Sequence, residues 1–395
     1  MKKQNLFITI AIIIIAFLFI TNPGFTDIPF WPNIKVNHNE EPSSQEETTI
    51  AAHGNYLVAG YHHIIENDIT LTTDIYCAVS YSHDGGETWH SDLMPLPAGY
   101  SKACDPAVAV SDDGTFYYAQ LSLGSDNQVF ISRSDDHGVT WTTPVEVCGG
   151  ALSGHALDKE WVASQGDNVY ITFTDFSAPS GTDIFFVRST DRGASFESHI
   201  KLNDVAVAGS CNGTAIAYDG TNVYVFWKNF SNSNFYMARS IDQGATFEPD
   251  DVMVANLNAL DYPGFRTTGQ FPSVKVNPLN HHIYCAYMDG LGVGDPSEIY
   301  FTISSDNGST WSTPTRVNDD AAGNGQWFPW IDIDDTGICH IVWYDERNNT
   351  GSLGDYLDLY YATYDESINT FGTNRRVTDQ TFAVVTPPEP GIATF

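Results

Sequence analysis

The sequence predicts an all-β protein, a six-bladed β-propeller built from four-stranded antiparallel blades. A short polar turn recurs along the chain, first as YSHDGGETW and then as SRSDDHGVTW, RSTDRGASF, RSIDQGATF and SSDNGSTW. Successive copies lie about 50 to 65 residues apart, a period typical of propeller blades. Each copy follows a run in which apolar and polar residues alternate, as in half-buried antiparallel strands. A seven-bladed ring is the alternative.

Each repeating unit contains four predicted strands in the same order. A first strand ends in a Gly or Asn turn, a second strand follows, and a third leads into the repeated turn. A short fourth strand then lies at the edge. In the third unit these segments read KEWVASQGDN, VYITFTDF, DIFFVRSTDRG and HIKLN. One such meander cannot bury both of its faces, whereas blades stacked around an axis can. No helix longer than two turns is predicted after residue 25.

The repeated turn has a nearly constant set of side chains, seen in the second copy as Ser134, Asp136, Gly138, Thr140 and Trp141. Copies three and four end in Phe196 and Phe247 in place of Trp. Aspartate accepts hydrogen bonds from backbone N–H groups of its own turn, and glycine adopts a positive φ at no cost. The aromatic ring packs beneath the hairpin. We interpret the turn as a structural staple, and its aspartates as non-catalytic. A sixth, degenerate copy surrounds Asp365.

This pattern resembles the Asp-box, or BNR repeat, of the sialidase superfamily of β-propellers. The resemblance extends over nearly the whole chain after its N-terminal segment. It implies exo-sialidase chemistry, in which three arginines bind the sugar carboxylate, a Glu activates a Tyr nucleophile and an Asp is the acid/base. The family's arginine motif precedes the first Asp-box. Here that region reads NEEPSSQEETTIAAHG and contains no arginine.

Three segments are predicted along the chain. Residues 1–25 contain MKK followed by the uncharged apolar run Leu6–Ile20, which indicates a signal peptide or an N-terminal membrane anchor. Residues 26–380 form the propeller, and residues 381–395 form an irregular tail. Either reading of the first segment predicts a secreted or cell-surface protein. The stretch WPNIKVNHN resembles a fourth strand, and we expect it to close the ring or to cap it.

The charge balance excludes some partners. A formal charge of −32, from 49 acidic and 17 basic residues, argues against binding nucleic acid or an anionic membrane surface. No cofactor is predicted to be required, and calcium is left open as a ligand. Three cysteines lie in strand-like runs, at Cys77, Cys285 and Cys339. The other three, Cys104, Cys148 and Cys211, are assigned to loops, where one disulfide is expected.

Connectivity predicts which face carries function. Turns between strands one and two, and between three and four, are short and share one face. The other connections are long, including HHIIENDITLTTD, which is assigned to a loop holding His62 and His63. Because binding residues concentrate on long loops of a rigid scaffold, we place the site on this second face, called here the long-loop face.

Charged residues near strand ends on that face are the candidate site residues. The densest clusters are DKEW and WYDER. The candidate catalytic residues are Asp158, Glu160, Asp105 and Tyr262. The candidate substrate-binding residues are Arg266, Arg347, Lys159 and Asp345.

The functional prediction is a secreted or surface-exposed propeller that binds or processes glycans through this face. Its expected partners are an extracellular carbohydrate or a surface glycoprotein. Two alternatives stay open: an exo-sialidase-type glycoside hydrolase, and a non-catalytic propeller that binds a protein or a cation.

Overall fold

The computed structural model describes residues 30, 32–37, 43–45, 47–67, 72–177, 181–204, 210–258, 270–290, 296–321, 323–351 and 355–383. Over these residues the chain forms six antiparallel sheets and no helix, so the predicted six-bladed β-propeller is confirmed. The expected signal or anchor, and nearly all of the expected tail, lie outside the described residues. No helix in the described part of the chain is long and apolar enough to cross a membrane.

The first three blades follow one another along the chain, and their strands pair in sequence order, except that the first two strands of blade 1 both pair with its long third strand. Blade 1 contains β1 (Ser43–Ser44), β2 (Thr49–His53), β3 (Tyr56–Asn67), β4 (Thr72–Ser82) and β5 (His90–Leu93). Blade 2 contains β6 (Lys102–Val110), β7 (Phe116–Leu123), β8 (Asn127–Ser134) and β9 (Val145–Glu146). Blade 3 contains β10 (Leu157–Gln165), β11 (Asn168–Asp175), β12 (Asp183–Ser189) and β13 (Ile200–Lys201).

The other three blades repeat this order. Blade 4 contains β14 (Cys211–Tyr218), β15 (Val223–Asn229), β16 (Asn234–Ser240) and β17 (Val252–Asn256). Blade 5 contains β18 (Ser273–Val276), β19 (Ile283–Asp289), β20 (Glu298–Ser304) and β21 (Thr315–Arg316). Blade 6 contains β22 (Gln326–Ile333), β23 (Cys339–Asp345), β24 (Tyr356–Asp365), β25 (Thr370–Phe371), β26 (Arg375–Arg376) and β27 (Phe382–Ala383).

The hydrophobic core lies between neighbouring blades. One cluster joins blades 2 and 3 through residues such as Ile131 and Phe173, and another joins blades 5 and 6 through Met288 and Trp343. The second strand of a blade is therefore covered on both faces, and every residue of β15 is buried. This differs from the half-buried alternation expected from sequence, because each blade packs against a neighbour on either side.

The repeated turns are structural staples, as predicted. In the second copy the Asp136 carboxylate accepts hydrogen bonds from the Ser134 hydroxyl and from the backbone N–H of Thr140, each at 2.8 Å. The Ser134 oxygen in turn accepts the Gly138 N–H at 2.8 Å. Copies one, three, four and five repeat these contacts. Their aspartates are fully engaged in holding the turn.

Residues 32–37, the described part of the stretch WPNIKVNHN, form no strand and pack at the junction between the last and first blades. Asn33 exchanges hydrogen bonds with Asp379 at 2.7 and 2.8 Å, after the last outer strand. Val36 is buried against Leu57 and Trp89 of blade 1. The segment thus closes the ring by packing between two blades.

Two expectations about loops are wrong. His62 and His63 are buried in β3, because the segment assigned to a loop belongs largely to a long β3–β4 hairpin. Cys104 and Cys211 lie in strands β6 and β14, and all six cysteines are free thiols. The expected disulfide is therefore absent.

Candidate functional site

The first strand of each blade (β2 in blade 1), called here the inner strand, lies nearest the propeller axis. In most blades it has an irregular pairing where it begins, on the long-loop face. In blades 2, 3, 4 and 6 the pairing of the first two strands shifts register at a two-residue bulge. The first bulge residue has a left-handed backbone in each case, at Asp105, Lys159, Gly213 and Phe328, with φ of 51°, 51°, 74° and 50°. Glu47, with φ of 48°, precedes β2 at the matching place in blade 1. We call these five residues the bulge ring.

Side chains of the bulge ring meet near the propeller axis. The Lys159 ammonium lies 2.9 Å from a carboxylate oxygen of Asp105 and 2.7 Å from one of Glu47. Because Glu47 and Lys159 belong to blades 1 and 3, this contact passes in front of blade 2, which is possible only close to the axis. His62 accepts a hydrogen bond from the Asp105 backbone N–H, and its ring lies 3.3 Å from the Asp105 carboxylate.

Two adjacent carboxyl groups have opposite pKa shifts. Burial first, and the neighbouring Asp105 carboxylate second, raise the pKa of Asp158 to about 7. Burial also acts to raise the pKa of Asp105, but the Lys159 ammonium and His62 outweigh it and lower that pKa overall. Near neutral pH Asp105 is therefore ionised while Asp158 still carries a proton for part of the time. Such a pair can supply one acid and one base.

The third acidic residue of this segment, Glu160, has a different environment. Its side chain is buried, and neither carboxyl oxygen has a hydrogen-bond partner among the described residues. Burial first, and the Asp105 charge second, raise its pKa well above the usual range. Glu160 is thus a neutral acid enclosed by protein, although it directly follows Lys159 in sequence.

A pair of tryptophans lies two residues beyond the bulge ring. The rings of Trp161 in blade 3 and Trp330 in blade 6 have centroids 5.2 Å apart. Blades 3 and 6 are opposite each other in a six-bladed ring, so this contact crosses the axis. The bulge ring surrounds the axial opening on the long-loop face, called here the mouth. The two tryptophan rings form the floor of this mouth.

Two other predicted site residues, Arg347 and Asp345, are not part of this cluster. Arg347 pairs with Asp345 at 2.9 Å and with Asp319 at 2.7 Å, and its guanidinium stacks 4.0 Å from the ring centre of Tyr360. These contacts form a separate network in blade 6 and its boundary with blade 5. Tyr262 and Arg266 lie outside the described residues.

One group of side chains near the mouth has the size of a metal site. Ligand atoms of His62, Cys104 and Asp105 lie within 4.8 Å of one another. Thiolate and imidazole ligands suit zinc-like ions, whereas calcium takes oxygen ligands. The Asp105 N–H already occupies the His62 nitrogen, and the Lys159 ammonium already neutralises Asp105. With an imidazole and a thiol among its ligands, this donor set does not fit calcium. Its carboxylate, Asp105, instead binds the ammonium group of Lys159.

The sequence reasoning missed Glu47 as a site residue. It lies in the polar stretch QEETTI, two residues before the first inner strand. Its position could have indicated the site. Glu47 lies two residues before the regular part of its inner strand, as Asp105 lies two residues before Ala107, where regular pairing resumes in blade 2.

Comparison with known proteins supports the fold. A family model described as the BNR/Asp-box repeat matches residues 80–91. No curated protein matches the sequence. Among solved structures, the Penicillium chrysogenum alpha-L-arabinanase complexed with arabinobiose is similar, with a TM-score of 0.54 at 14% identity, covering 76% of this chain and 88% of that one.

Two sialidases have similar folds. For the Hadza microbial sialidase Hz136 the TM-score is 0.53 at 15% identity, covering 75% of this chain and 63% of that one. For Trypanosoma rangeli sialidase the TM-score is 0.52 at 14% identity, covering 78% and 52%. This chain therefore spans only about half to two thirds of those sialidases. At such identities the likeness shows the fold alone.

The chain is a six-bladed β-propeller with Asp-box repeats, an architecture shared with sialidases and arabinanases.

Proposed function

We propose that the protein binds and hydrolyses a neutral glycan at the axial mouth of its long-loop face. The observation that carries this proposal is the adjacent pair Asp105 and Asp158, whose pKa values are shifted in opposite directions beside Lys159. Titratable pairs separated in this way are typical of acid–base catalysis. The fold neighbours include glycan-active enzymes, which is consistent with a carbohydrate ligand.

The proposed reaction breaks one glycosidic C–O bond. Asp158 donates its proton to the departing oxygen, and a water molecule adds its oxygen to the anomeric carbon. The proton lost by this water goes to Glu47, the more exposed carboxylate of the cluster, with 38% of its side chain accessible. Asp105 stays ionised beside Lys159 and stabilises positive charge that develops on the sugar. The products are a free reducing sugar and an alcohol.

Glu160 takes no direct part in this proposal. It is only 3% exposed, and a sugar oxygen cannot reach its enclosed carboxyl group. Its neutral form removes one negative charge from a crowded acidic region. The proton donor is thus assigned to Asp158, and Glu160 is assigned a supporting role beneath the site.

A neutral glycan suits the charges better than sialic acid. Recognition of a sugar carboxylate favours arginine, whose planar guanidinium matches it. The described arginines that form ion pairs do so away from the mouth, at Arg133, Arg188, Arg192, Arg239, Arg316, Arg347 and Arg376. At the mouth one ammonium faces three carboxyl groups. The exo-sialidase alternative depends on Arg266 and Tyr262, outside the described residues.

We also propose that the protein is exported and meets its glycan outside the cytoplasm. The proposal rests on MKK and the apolar run Leu6–Ile20. The mechanism above requires no cofactor, because carboxyl groups and an internal lysine provide the chemistry. Assays with added calcium and with a chelator test this directly.

The deciding experiment is hydrolysis by the purified full-length chain of a panel of fluorogenic neutral glycosides and one sialoside, between pH 4 and 9. We expect turnover of a neutral glycoside, its loss in Asp158→Asn, and its retention in the matched variant Glu160→Gln. Turnover of the sialoside alone, abolished by Arg266→Ala, would establish the exo-sialidase alternative. Glycan binding without turnover would leave a recognition module, and neither binding nor turnover would reject a glycan function.

A further inference from the structure

The bulge ring is chemically divided. Blades 1 to 3 contribute Glu47, Asp105 and Lys159, which form the polar cluster. On the opposite side, blade 6 contributes Phe328, which has 41% of its surface exposed, followed by Trp330 with 37% exposed. In blade 4 the ring position is Gly213, and a Cβ placed there would overlap the ring of Phe271 from blade 5. Aromatic side chains therefore occupy the half of the mouth that faces the acids.

The backbone conformation of Phe328 indicates that this residue has a functional role. Its φ of 50° lies in the left-handed region, where a bulky side chain is strained. Glycine avoids that strain and occupies the matching place in blade 4. An exposed phenylalanine recovers little of the cost by burial. Strained residues of this kind concentrate at functional sites.

We propose that Phe328, with Trp330 and Phe271, forms a stacking platform for the apolar face of a neutral sugar ring. This inference rests on the proposed function and specifies how the substrate lies in the site. The C–H groups of the sugar ring pack against the negative faces of the aromatic rings. Its hydroxyl edge and glycosidic oxygen then face Asp158, Glu47 and Lys159 on the opposite side.

The balance of charge favours a neutral sugar over a cation in this mouth. Aromatic rings and carboxylates together also suit a quaternary ammonium ligand. Here the Lys159 ammonium already bonds both Asp105 and Glu47, and the pKa of Asp158 is raised to about 7. The carboxylates that a cation would bind are thus already shared with one ammonium, whose positive charge repels a second cation. A ligand with many hydroxyl groups and no charge fits both halves.

The test compares Phe328→Ala with Phe328→Tyr, which keeps the ring, and with Leu279→Ala as a matched control. Leu279 is 63% exposed and lies after β18, in the short turn to β19, at the opposite end of blade 5 from the mouth. Binding of arabinobiose, xylobiose, galactobiose, cellobiose and choline is measured by calorimetry and by the fluorescence of the floor tryptophans, Trp161 and Trp330. Thermal unfolding checks that each variant is folded.

We expect the wild-type chain to bind at least one of these sugars, and Phe328→Ala to bind it about tenfold or more weakly, from the apolar contact removed. Phe328→Tyr keeps the ring and should bind the sugar more tightly than Phe328→Ala. Leu279→Ala, away from the mouth, should remain within about twofold of wild type. Unchanged affinity in folded Phe328→Ala would overturn the platform and leave the proposed function standing. A wild-type chain that neither binds nor hydrolyses any neutral sugar overturns both. Binding of choline instead of sugars, lost in Phe328→Ala, would identify a cation cage and overturn the sugar platform.

Discussion

Replacing Lys159 by Met tests whether one internal cation holds the acidic cluster together. The substitution keeps an unbranched side chain of similar length and removes the charge that lies 2.9 Å from Asp105 and 2.7 Å from Glu47. The Lys159 side chain is 26% exposed, and that of Asp105 is 11% exposed. The perturbed pair is therefore largely screened from water.

The expected loss of stability follows from these distances. Two unit charges about 3 Å apart attract by roughly 5 kcal/mol at an effective dielectric constant near 20. Part of this is already offset by desolvation of both groups, and breaking a buried pair typically costs about 3 to 5 kcal/mol. Because Glu47 is more exposed, its share is small. We expect Lys159→Met to lose about 3 kcal/mol at pH 7.

The loss should depend on pH with a definite sign. In the wild-type protein the pKa of Asp105 is lowered, so this group stabilises the fold above its unfolded value of about 4. Without Lys159 we expect burial to raise that pKa instead. The folded protein must then keep a proton that the unfolded chain releases, which becomes more costly as the pH rises from about 4 to 7. The difference between variant and wild type should therefore be largest near pH 7 and smallest near pH 4.

The assay is urea unfolding followed by circular dichroism at pH 7.5 and at pH 4.5. The matched control is Lys275→Met, which removes an exposed ion pair with Asp332 at 3.2 Å. Exposed pairs contribute about 0 to 1 kcal/mol. Equal losses in the two variants, or a Lys159→Met loss that does not change with pH, would refute this account of the cluster.

Three further outcomes are expected. The kcat/KM of wild-type protein should fall above about pH 7 as Asp158 loses its proton, and Asp158→Asn should lower it by about 10² or more; a flat profile would exclude Asp158 as the acid. Asp136→Ala removes three hydrogen bonds from its turn and should destabilise by about 1 to 3 kcal/mol in urea unfolding, more than Asp365→Ala in the degenerate turn. Gly213→Ala should lower the melting temperature, because its φ of 74° is strained for alanine and its Cβ overlaps an aromatic ring; Gly149→Ala, with φ of 53° and open space around it, isolates the backbone contribution.

The fold could be predicted because its evidence is local. Each staple forms within one turn, between residues such as Asp136 and Thr140, which are four apart in sequence. Five good copies at blade spacing leave few arrangements other than a propeller. The prediction of a loop around His62 is wrong because the evidence there is not local. A long hairpin has no short-range sequence feature that distinguishes it from a polar connection.

The candidate site was only partly predictable. The positions of Asp105, Asp158 and Lys159 near the start of an inner strand predict that they lie at the mouth, and the structure brings them together. Arg347 is predicted from its place just after a strand end on the same face, but its carboxylate partners hold it in a separate network. Strand position indicates a face of the propeller, whereas the partners of a side chain depend on packing.

The sequence by itself determined the class of fold, the staples and the face that carries the strand starts, since all of these repeat at short range. It left six and seven blades open, and the tertiary structure decided for six. Tertiary structure decided which side chains share the mouth. Glu47 reaches Lys159 over 112 residues of chain, a contact that exists only because the ring closes. A two-residue bulge decides that Lys159 reaches the axial cluster while its neighbour Glu160 is enclosed. Each extra residue in a strand reverses the side chains that follow, so their direction is set by pairing with the next strand.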